Sequence, residues 1–407
     1  MGLEQQASEW RSAIELLLQW DRGDRHLDDL LEKYNIGKLR WLVIESFRTR
    51  PVVDRILDGK MSRKPRPKVL HILRLAVTEI LNRGSDKHPA IVNSAVAMAK
   101  ELGVSKPEVG FINGVLRSIL RAPDDQEYSL DETVAPWLLS RWRRQFGAEA
   151  LALLLEWNSR VPEITIRGLD CPEYATSTEW NGFFRIQDGR FSDAIKDLES
   201  GLFYVQDPFT RIPVELLEVQ PGETILDLCA APGGKSRWLL ENMEGKGRLV
   251  AIDRPGARLK RLERNLQAVS SQNASVIGAD VLRMETEMKA AGIRPGSVDA
   301  VLIDVPCSNT GVIQKRPDVK LRLVKEDIQQ QADMQLSLLD AAAQWPRTGG
   351  RLVYSTCSLE EEENSGVVSS FLQLHPDWEL KESVLSLPWM CGHDGGGAFL
   401  LTKSQQA

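Results

Sequence analysis

A chain of three parts is predicted: an all-α N-terminal bundle over residues 1–125, a small α+β adaptor over 126–215, and a C-terminal α/β domain over 216–407. Three patterns predict it: nearly unbroken helical periodicity before residue 122, mixed short segments after it, and alternating strands and helices from about 216 onward. A length of 407 residues agrees, being too long for one ordinary core. With 42% hydrophobic and 27% charged residues the composition is globular, which excludes disorder, collagen and coiled coil. No stretch approaches the roughly eighteen apolar residues a membrane helix needs. Met1-Gly2-Leu3-Glu4-Gln5-Gln6 carries neither a secretory signal nor the Ser/Thr that would support myristoylation at Gly2. Five cysteines, Cys171, Cys229, Cys307, Cys357 and Cys391, form an odd count without a CxxC pair. A disulfide framework and a metal site are therefore not expected, and a reducing cytoplasm is the expected compartment. Nothing calls for more than a monomer.

In the bundle, Ile14, Leu17, Leu18, then Leu27, Leu30, Leu31, and later Val69, Ile72, Leu73, Ala76, Ile80, Leu81 recur at helical spacing. Pro65, Pro67, Pro89 and Pro107 punctuate the segments, and Asn113 to Arg121 gives a last amphipathic stretch. The net charge of −6 conceals an asymmetry: residues 1–122 hold 21 Lys+Arg against 15 Asp+Glu, and the remainder 30 against 42. The basic excess lies between Arg48 and Arg74, including Arg55, Lys60, Arg63, Lys64, Arg66 and Lys68. It fits a part that meets a polyanion, and it fits a merely solvated helix face equally well.

Pro123-Asp124-Asp125 is the expected linker. The adaptor then reads as a helix through Trp137, Leu138, Trp142 and Phe146, decorated by Arg141, Arg143 and Arg144, followed by strand-like runs at 163–167 and 202–205.

In the α/β part, the short apolar runs at 225–228, 249–252, 276–277, 300–303 and 352–354 suit strands buried on both faces. Helices over Ala257 to Ala268 and Ile328 to Ala343 separate some of them. An open, doubly wound parallel sheet follows, with its ligand at the carboxyl ends of the strands.

The first strand runs into Cys229-Ala230-Ala231-Pro232-Gly233-Gly234-Lys235-Ser236, a loop of small residues opening a helix. Three ligands compete for it. A dinucleotide loop needs GxGxxG, which is absent. A Walker A loop needs GxxxxGK[ST]; Gly234-Lys235-Ser236 fits its end and Val301-Leu302-Ile303-Asp304 mimics a Walker B strand. Against it, Cys229 occupies the opening glycine position and Pro232 removes a backbone donor. The third ligand is S-adenosylmethionine. Asp253 ends the second strand nineteen residues beyond Gly234, near the spacing at which an acidic residue meets a ribose. Asp280 follows the third strand and Asp304 the fourth. One such aspartate is ordinarily a helix cap, but successive strand ends carrying one suit a cationic sulfonium better than a triphosphate.

Asp304-Val305-Pro306-Cys307-Ser308 and Ser355-Thr356-Cys357-Ser358 each end a strand, so both cysteines face the same crevice. A lone free cysteine is commonly a small buried hydrophobe; a pair at parallel strand ends suits methylation of carbon 5 of a pyrimidine. A thiolate adding to carbon 6 makes carbon 5 nucleophilic, an acid near ring N3 neutralises the charge that develops, and a second group assists release. The thiol needs a positive neighbour to ionise, and Lys235 is a candidate. The target base must leave its stack, which favours an unpaired site in RNA.

LDLCAAPGGKS, DVPCSNTG and STCSLEEEEN resemble the cofactor, Pro-Cys and Thr-Cys motifs of the RNA 5-methylcytosine methyltransferases, and Val205-Gln206-Asp207 is similar to a segment ahead of that family's cofactor loop. His88-Pro89-Ala90-Ile91-Val92-Asn93 and 110–117 (GFINGVLR) resemble the NusB-type RNA-binding bundle. The combination is similar to the small-subunit (16S) ribosomal RNA cytosine-5 methyltransferases. It implies a NusB-like N-terminal domain, a Rossmann-like methyltransferase domain, S-adenosyl-L-methionine as cofactor and RNA as partner. Carried over, the nucleophile is Cys357, the cysteine aiding release is Cys307, and Asp304 lies between cofactor and base. The resemblance further implies that Cys229, Ala230, Ala231, Pro232, Gly233, Gly234 and Lys235 contact the cofactor, with Asp253 on its ribose, Asp280 near its adenine and Arg258 close by. Asn364 is expected to be structural.

This sequence departs from the family at four places. Val305 stands where Ala is usual, and Asn309 where a small residue is common. Ile166-Arg167-Gly168 lacks an expected Asn, which puts RNA contacts there in doubt. His393-Asp394-Gly395-Gly396-Gly397-Ala398-Phe399 is a glycine-expanded approach to the final strand. None of these is expected to touch the cysteines or Asp304. Transfer RNA as substrate and a non-catalytic RNA-binding assembly factor remain the alternatives.

Overall fold

Pro67 opens the most buried helix of the chain, Pro67–Asn82, at the one helical position where a missing N–H costs nothing. Its residues 69–80 are all buried, because helices Leu3–Trp20, Gly37–Arg48, Arg50–Asp58, His88–Glu101 and Lys106–Arg121 are packed around it. Trp10, Leu17, Phe47, Leu73, Ala95 and Leu116 share this core. Ser105 and Glu108 close a capping box at the start of the last of these helices. The computed structural model describes residues 3–23, 27–31, 37–122, 129–267, 269 and 272–404. The linker expected at Pro123-Asp124-Asp125 and the helix end expected at Ala268 lie outside them.

The chain divides into two compact units, Met1–Arg160 with Ile313–Arg322, and Val161–Val312 with Leu323–Ala407. Helices Pro136–Phe146 and Ala148–Ser159, in the stretch read from sequence as adaptor, group with the first unit. So do residues 313–322: Arg48 donates to the Gln314 carbonyl at 2.8 Å, Lys320 donates to the Arg48 carbonyl at 2.8 Å, and Arg316 pairs with Asp28 at 2.7 Å. The basic cluster is not one open patch. Arg48 is buried against Glu45, and Arg74 holds Asp54 with two bonds of 2.6 Å. Arg55 pairs with Glu132, Arg66 pairs with Glu108, and Lys60 and Lys68 donate to helix-end carbonyls. Arg63 and Lys64 are exposed. Much of the excess thus stabilises the bundle, since a buried guanidinium must find a carboxylate.

In the second unit, β1 (Thr165–Arg167), β2 (Ala175–Ser177), β3 (Phe183–Ile186) and β4 (Tyr204–Val205) form an antiparallel sheet in the order β2-β3-β1-β4. Arg167 is only 8% exposed: it donates to Gln206, pairs with Glu241 and lies 4.6 Å over the Trp238 ring. It anchors this sheet to helix Gly234–Asn242, so a role for its guanidinium as an open RNA contact is displaced by packing.

The larger sheet comprises β5 (Thr224–Leu228), β6 (Arg248–Asp253), β7 (Ala274–Gly278), β8 (Val298–Asp304), β9 (Pro346–Thr356), β10 (Trp378–Ser386) and β11 (Gly396–Lys403). Its order is β10-β11-β9-β8-β5-β6-β7. Strands β5 to β9 are parallel, as expected, but β11 pairs antiparallel with both β9 and β10, which makes the sheet mixed. The short connection between β10 and β11 is the reason, since a brief link can join only antiparallel neighbours. Strand order reverses at β5, between β8 and β6, and the carboxyl ends of these three strands open one crevice.

Candidate active site

The loop after β5 is built for close approach. Cys229 sits at φ 59° and Gly233 at φ 105°, backbone regions that side chains resist. A Cβ on Gly233 would stand 2.9 Å from Leu262, and one on Gly234 would stand 3.0 Å from Gln206 and Tyr204. The loop is held from outside. Asp253 accepts from the Ala231 and Arg254 N–H groups at 2.8 Å each, and Arg258 donates to the Ala231 carbonyl at 2.8 Å. Asn265 donates to the Pro232 carbonyl at 2.7 Å. Asp280 caps the turn Val281–Arg283 through the Leu282 N–H and faces Arg254 at 3.3 Å.

Burial, reinforced by Asp253 and Asp304, pushes the Cys229 thiol up to about 12, so it stays neutral and is no nucleophile. Asp227 is buried, with one oxygen accepting from Ser236 and the other, Oδ1, without a partner. Burial pushes its pKa from 3.8 to about 7. Four carboxylates around a small-residue loop, one with an orphaned oxygen, fit a cationic nucleoside such as S-adenosylmethionine. Asp227, Asp253, Asp280 and the loop 229–235 would hold it.

The same shift predicts a pH dependence. Between pH 3.8 and about 7 the folded chain keeps a proton that the unfolded chain has lost. Asp227 therefore makes stability fall as pH rises through that window, and the loss is complete above it. Relative to Asp227→Asn, the unliganded wild type is expected to lose melting temperature from about pH 4 to 7 and to stay level beyond. Parallel melting curves across that range would refute the assignment.

At the crevice, the Lys235 ammonium lies 2.7 Å from Asp304, whose other oxygen accepts from Ser355 at 3.1 Å. Burial works against the charge on Lys235, but Asp304, Asp227 and Cys357 together raise its pKa. The sulfur atoms of Cys307 and Cys357 are 3.1 Å apart, and both cysteines are free. The Cys357 thiol and burial raise Cys307 well above the ordinary thiol value.

Asn309 overturns one sequence expectation. At φ 63° it donates to the Cys307 carbonyl at 2.7 Å and places Oδ1 3.2 Å from the Cys357 sulfur. Asparagine tolerates the left-handed region better than most side chains, which is why it can replace a small residue here. The glycine expansion also touches the cysteine loops. A Cβ on Gly311 would lie 2.1 Å from the Gly395 carbonyl oxygen, and one on Gly396 would lie 2.2 Å from that of Thr356. A Cβ on Gly397 would lie 2.2 Å from Asn364 Oδ1. These glycines let β11 pass against the loop that carries Cys357.

Glu363 and the following Asn364 are buried beside the cysteine loops. A π-turn over Glu362–Gly366 directs both Glu363 and Asn364 inward. Asn364 accepts from Thr356 at 2.7 Å and donates to the Ser358 and Glu360 carbonyls at 2.9 and 2.8 Å. Glu363 bonds to Ser308, Ser358 and Gln335. Glu363 ends the run of four glutamates in STCSLEEEEN, and its place directly before Asn364 is its one local signal in the sequence.

Residues 214–392 match the family described as 16S rRNA methyltransferase RsmB/F, and residues 9–121 match the NusB family. The probable ribosomal RNA small subunit methyltransferase B of Bacillus subtilis (strain 168) is 30% identical, covering 90% of this chain and 88% of its own. Ribosomal RNA small subunit methyltransferase B of Proteus mirabilis (strain HI4320) is 31% identical, covering 92% and 90%. Among solved structures, PH0851 superposes with a TM-score of 0.83 at 22% identity, covering 98% of this chain and 99% of its own. NSun6 from Pyrococcus horikoshii with SFG gives 0.58 at 19% identity, covering 68% and 100%. At these identities the two structures bear on fold alone.

Proposed function

Because the chain belongs to the 16S rRNA methyltransferase RsmB/F family, whose members depend on S-adenosylmethionine, we propose that it methylates carbon 5 of a cytidine in small-subunit ribosomal RNA through a covalent cysteine adduct at carbon 6. The observation that carries this reading is the pair of sulfurs 3.1 Å apart at the ends of β8 and β9, beside the Lys235–Asp304 ion pair.

S-adenosylmethionine, when bound, supplies an electrophilic methyl group. Cys357 adds to carbon 6 as the thiolate, and its negative charge meets the Lys235 ammonium. Asp304, fixed by Lys235 and Ser355, faces ring N3; it passes there the proton released by the Cys357 thiol, which neutralises the charge developing on the base, and takes that proton back at release. After methyl transfer the carbon 5 proton passes to water and the carbon–sulfur bond breaks, returning its electron pair to Cys357. Cys307, held as a neutral thiol, hydrogen-bonds the departing sulfur. The NusB-like bundle positions the RNA through phosphate contacts, with Arg63 and Lys64 exposed for that purpose. The scheme places the protein in the cytoplasm with its RNA, acting as a single chain. Among the described residues no helix is long and apolar enough to cross a membrane.

Incubated with labelled S-adenosylmethionine and unmodified small-subunit ribosomal RNA, wild type is expected to label 5-methylcytidine. Cys307→Ala is expected to accumulate a covalent RNA–protein adduct that survives denaturing gels. Label in another nucleoside would overturn the reaction, and no adduct with Cys307→Ala would overturn the division of labour between the cysteines.

A further inference from the structure

The mechanism leaves the fully buried carboxylate of Glu363 without a role. Glu363 lies beneath the two cysteines, and each cysteine is followed in sequence by a serine that reaches it. The Ser308 N–H donates to Oε1 at 2.9 Å and the Ser308 hydroxyl bonds to Oε2. The Ser358 hydroxyl also bonds to Oε2, and Gln335 donates to Oε1 at 2.9 Å while donating to the Pro306 carbonyl at 3.0 Å. Four hydrogen bonds converge on one side chain that links the loop of Cys307 to the loop of Cys357. The Glu363 carbonyl is fixed in turn by the Tyr354 hydroxyl at 2.7 Å.

The two loops depend on it unequally. Both loops continue strands that are paired on both sides, but the Cys357 loop is braced separately by Thr356 and Asn364. The Cys307 loop leaves β8 after Asp304. It is tied at Ser308 by both its backbone and its side chain to Glu363, and at Pro306 through Gln335. Removing the carboxylate therefore frees Cys307 more than Cys357.

We propose that Glu363 is a positioning residue for the release step: it holds Cys307 against the Cys357 sulfur so that the covalent product can be let go. The inference rests on the cysteine roles proposed above. In release the carbon 5–hydrogen pair re-forms the carbon 5–carbon 6 double bond and the proton passes to water. The sulfur–carbon 6 pair then returns to Cys357, where the Cys307 thiol meets it. With Cys307 displaced by even about 1 Å, release slows while addition and methyl transfer continue.

Glu363→Gln keeps the shape and an oxygen for the Ser308 N–H and Gln335, but puts an NH2 group where Oε2 accepted, so the Ser308 and Ser358 hydroxyls lose their charged acceptor. It is expected to lower turnover about 10-fold, to raise the trapped adduct at least about threefold over wild type, and to leave the Kd for S-adenosylmethionine unchanged. Loss of packing alone would lower addition and release together and trap no adduct. Ser308→Ala and Ser358→Ala keep the test decisive if Glu363→Gln does not fold. Ser308→Ala unties the Cys307 side and is expected to trap adduct, whereas Ser358→Ala is expected to trap no more than wild type. Cys307→Ala runs in parallel. Adduct from Cys307→Ala but none from Glu363→Gln or Ser308→Ala overturns the role of Glu363 and leaves the cysteine roles standing. No adduct from Cys307→Ala overturns both.

Discussion

Cys357→Ala is expected to abolish methyl transfer, by roughly 10⁴-fold or more, while binding S-adenosylmethionine as wild type does. The size of the loss follows from the absence of a substitute. Cys307 is 8% exposed, and the Cys357 thiol and burial keep it protonated. Cys229 opens the small-residue loop after β5, with its thiol pushed up to about 12. Neither offers a thiolate near neutral pH, so carbon 6 has no other sulfur to accept. The measurement is label transfer to small-subunit ribosomal RNA with calorimetry of cofactor binding alongside. Activity retained by Cys357→Ala and lost by Cys307→Ala would exchange the two roles.

The parts of this site that could be read from the sequence are those confined to a few consecutive residues. The small-residue loop at 229–235, the aspartates closing β6 and β8, and the cysteines after Pro306 and Thr356 each announce themselves within one strand and the turn that follows. The order of strands then brings them together. What stayed hidden depends on contacts across long separations. Glu363 meets Ser308 from 55 residues away, and nothing in a run of four glutamates marks which of them are buried. The glycines at 395–397 looked like an expansion of a loop; a Cβ would strike Leu359 and Pro388 at 395, the Thr356 carbonyl at 396 and the Asn364 side chain at 397. Asn309 looked neutral because its left-handed backbone and its reach to Cys357 are visible only in three dimensions.

The fold shows the same division. Strands β5, β6, β8 and β9 carry continuous apolar runs because helices cover both faces of a parallel sheet. β10 runs Trp378-Glu379-Leu380-Lys381-Glu382-Ser383-Val384-Leu385-Ser386 at the sheet edge, with only its two end residues buried. No periodicity distinguishes it from a loop, and its strand character comes from pairing with β11. The basic stretch between Arg48 and Arg74 was ambiguous for a related reason: charge counts do not tell a guanidinium that pairs with a buried carboxylate from one that faces solvent.

Asp304→Ala is expected to do two separable things, and the second variant that separates them is Asp304→Ala with Lys235→Met. Removing Asp304 alone leaves the Lys235 ammonium, whose side chain is 15% exposed, without its partner at 2.7 Å. A buried pair broken from one side ordinarily costs about 3–5 kcal/mol. Asp304 itself is 34% exposed, so water screens part of the interaction and about 2–3 kcal/mol is the expected loss. The double variant replaces the stranded charge by an apolar chain of similar length and is expected to regain most of that stability. Activity should behave differently. If Asp304 stabilises the charge that develops at ring N3, methyl transfer falls by roughly 10²–10³-fold in Asp304→Ala and does not return in the double variant. Thermal melts and label transfer on wild type, both single variants and the double variant give the two cycles. Because Lys235 also meets the Cys357 thiolate, stability recovered in the double variant together with a larger loss of activity in Asp304→Ala than in Lys235→Met places Asp304 in the chemistry. Recovery of both together would make the ion pair a structural strut and remove Asp304 from the proposed mechanism.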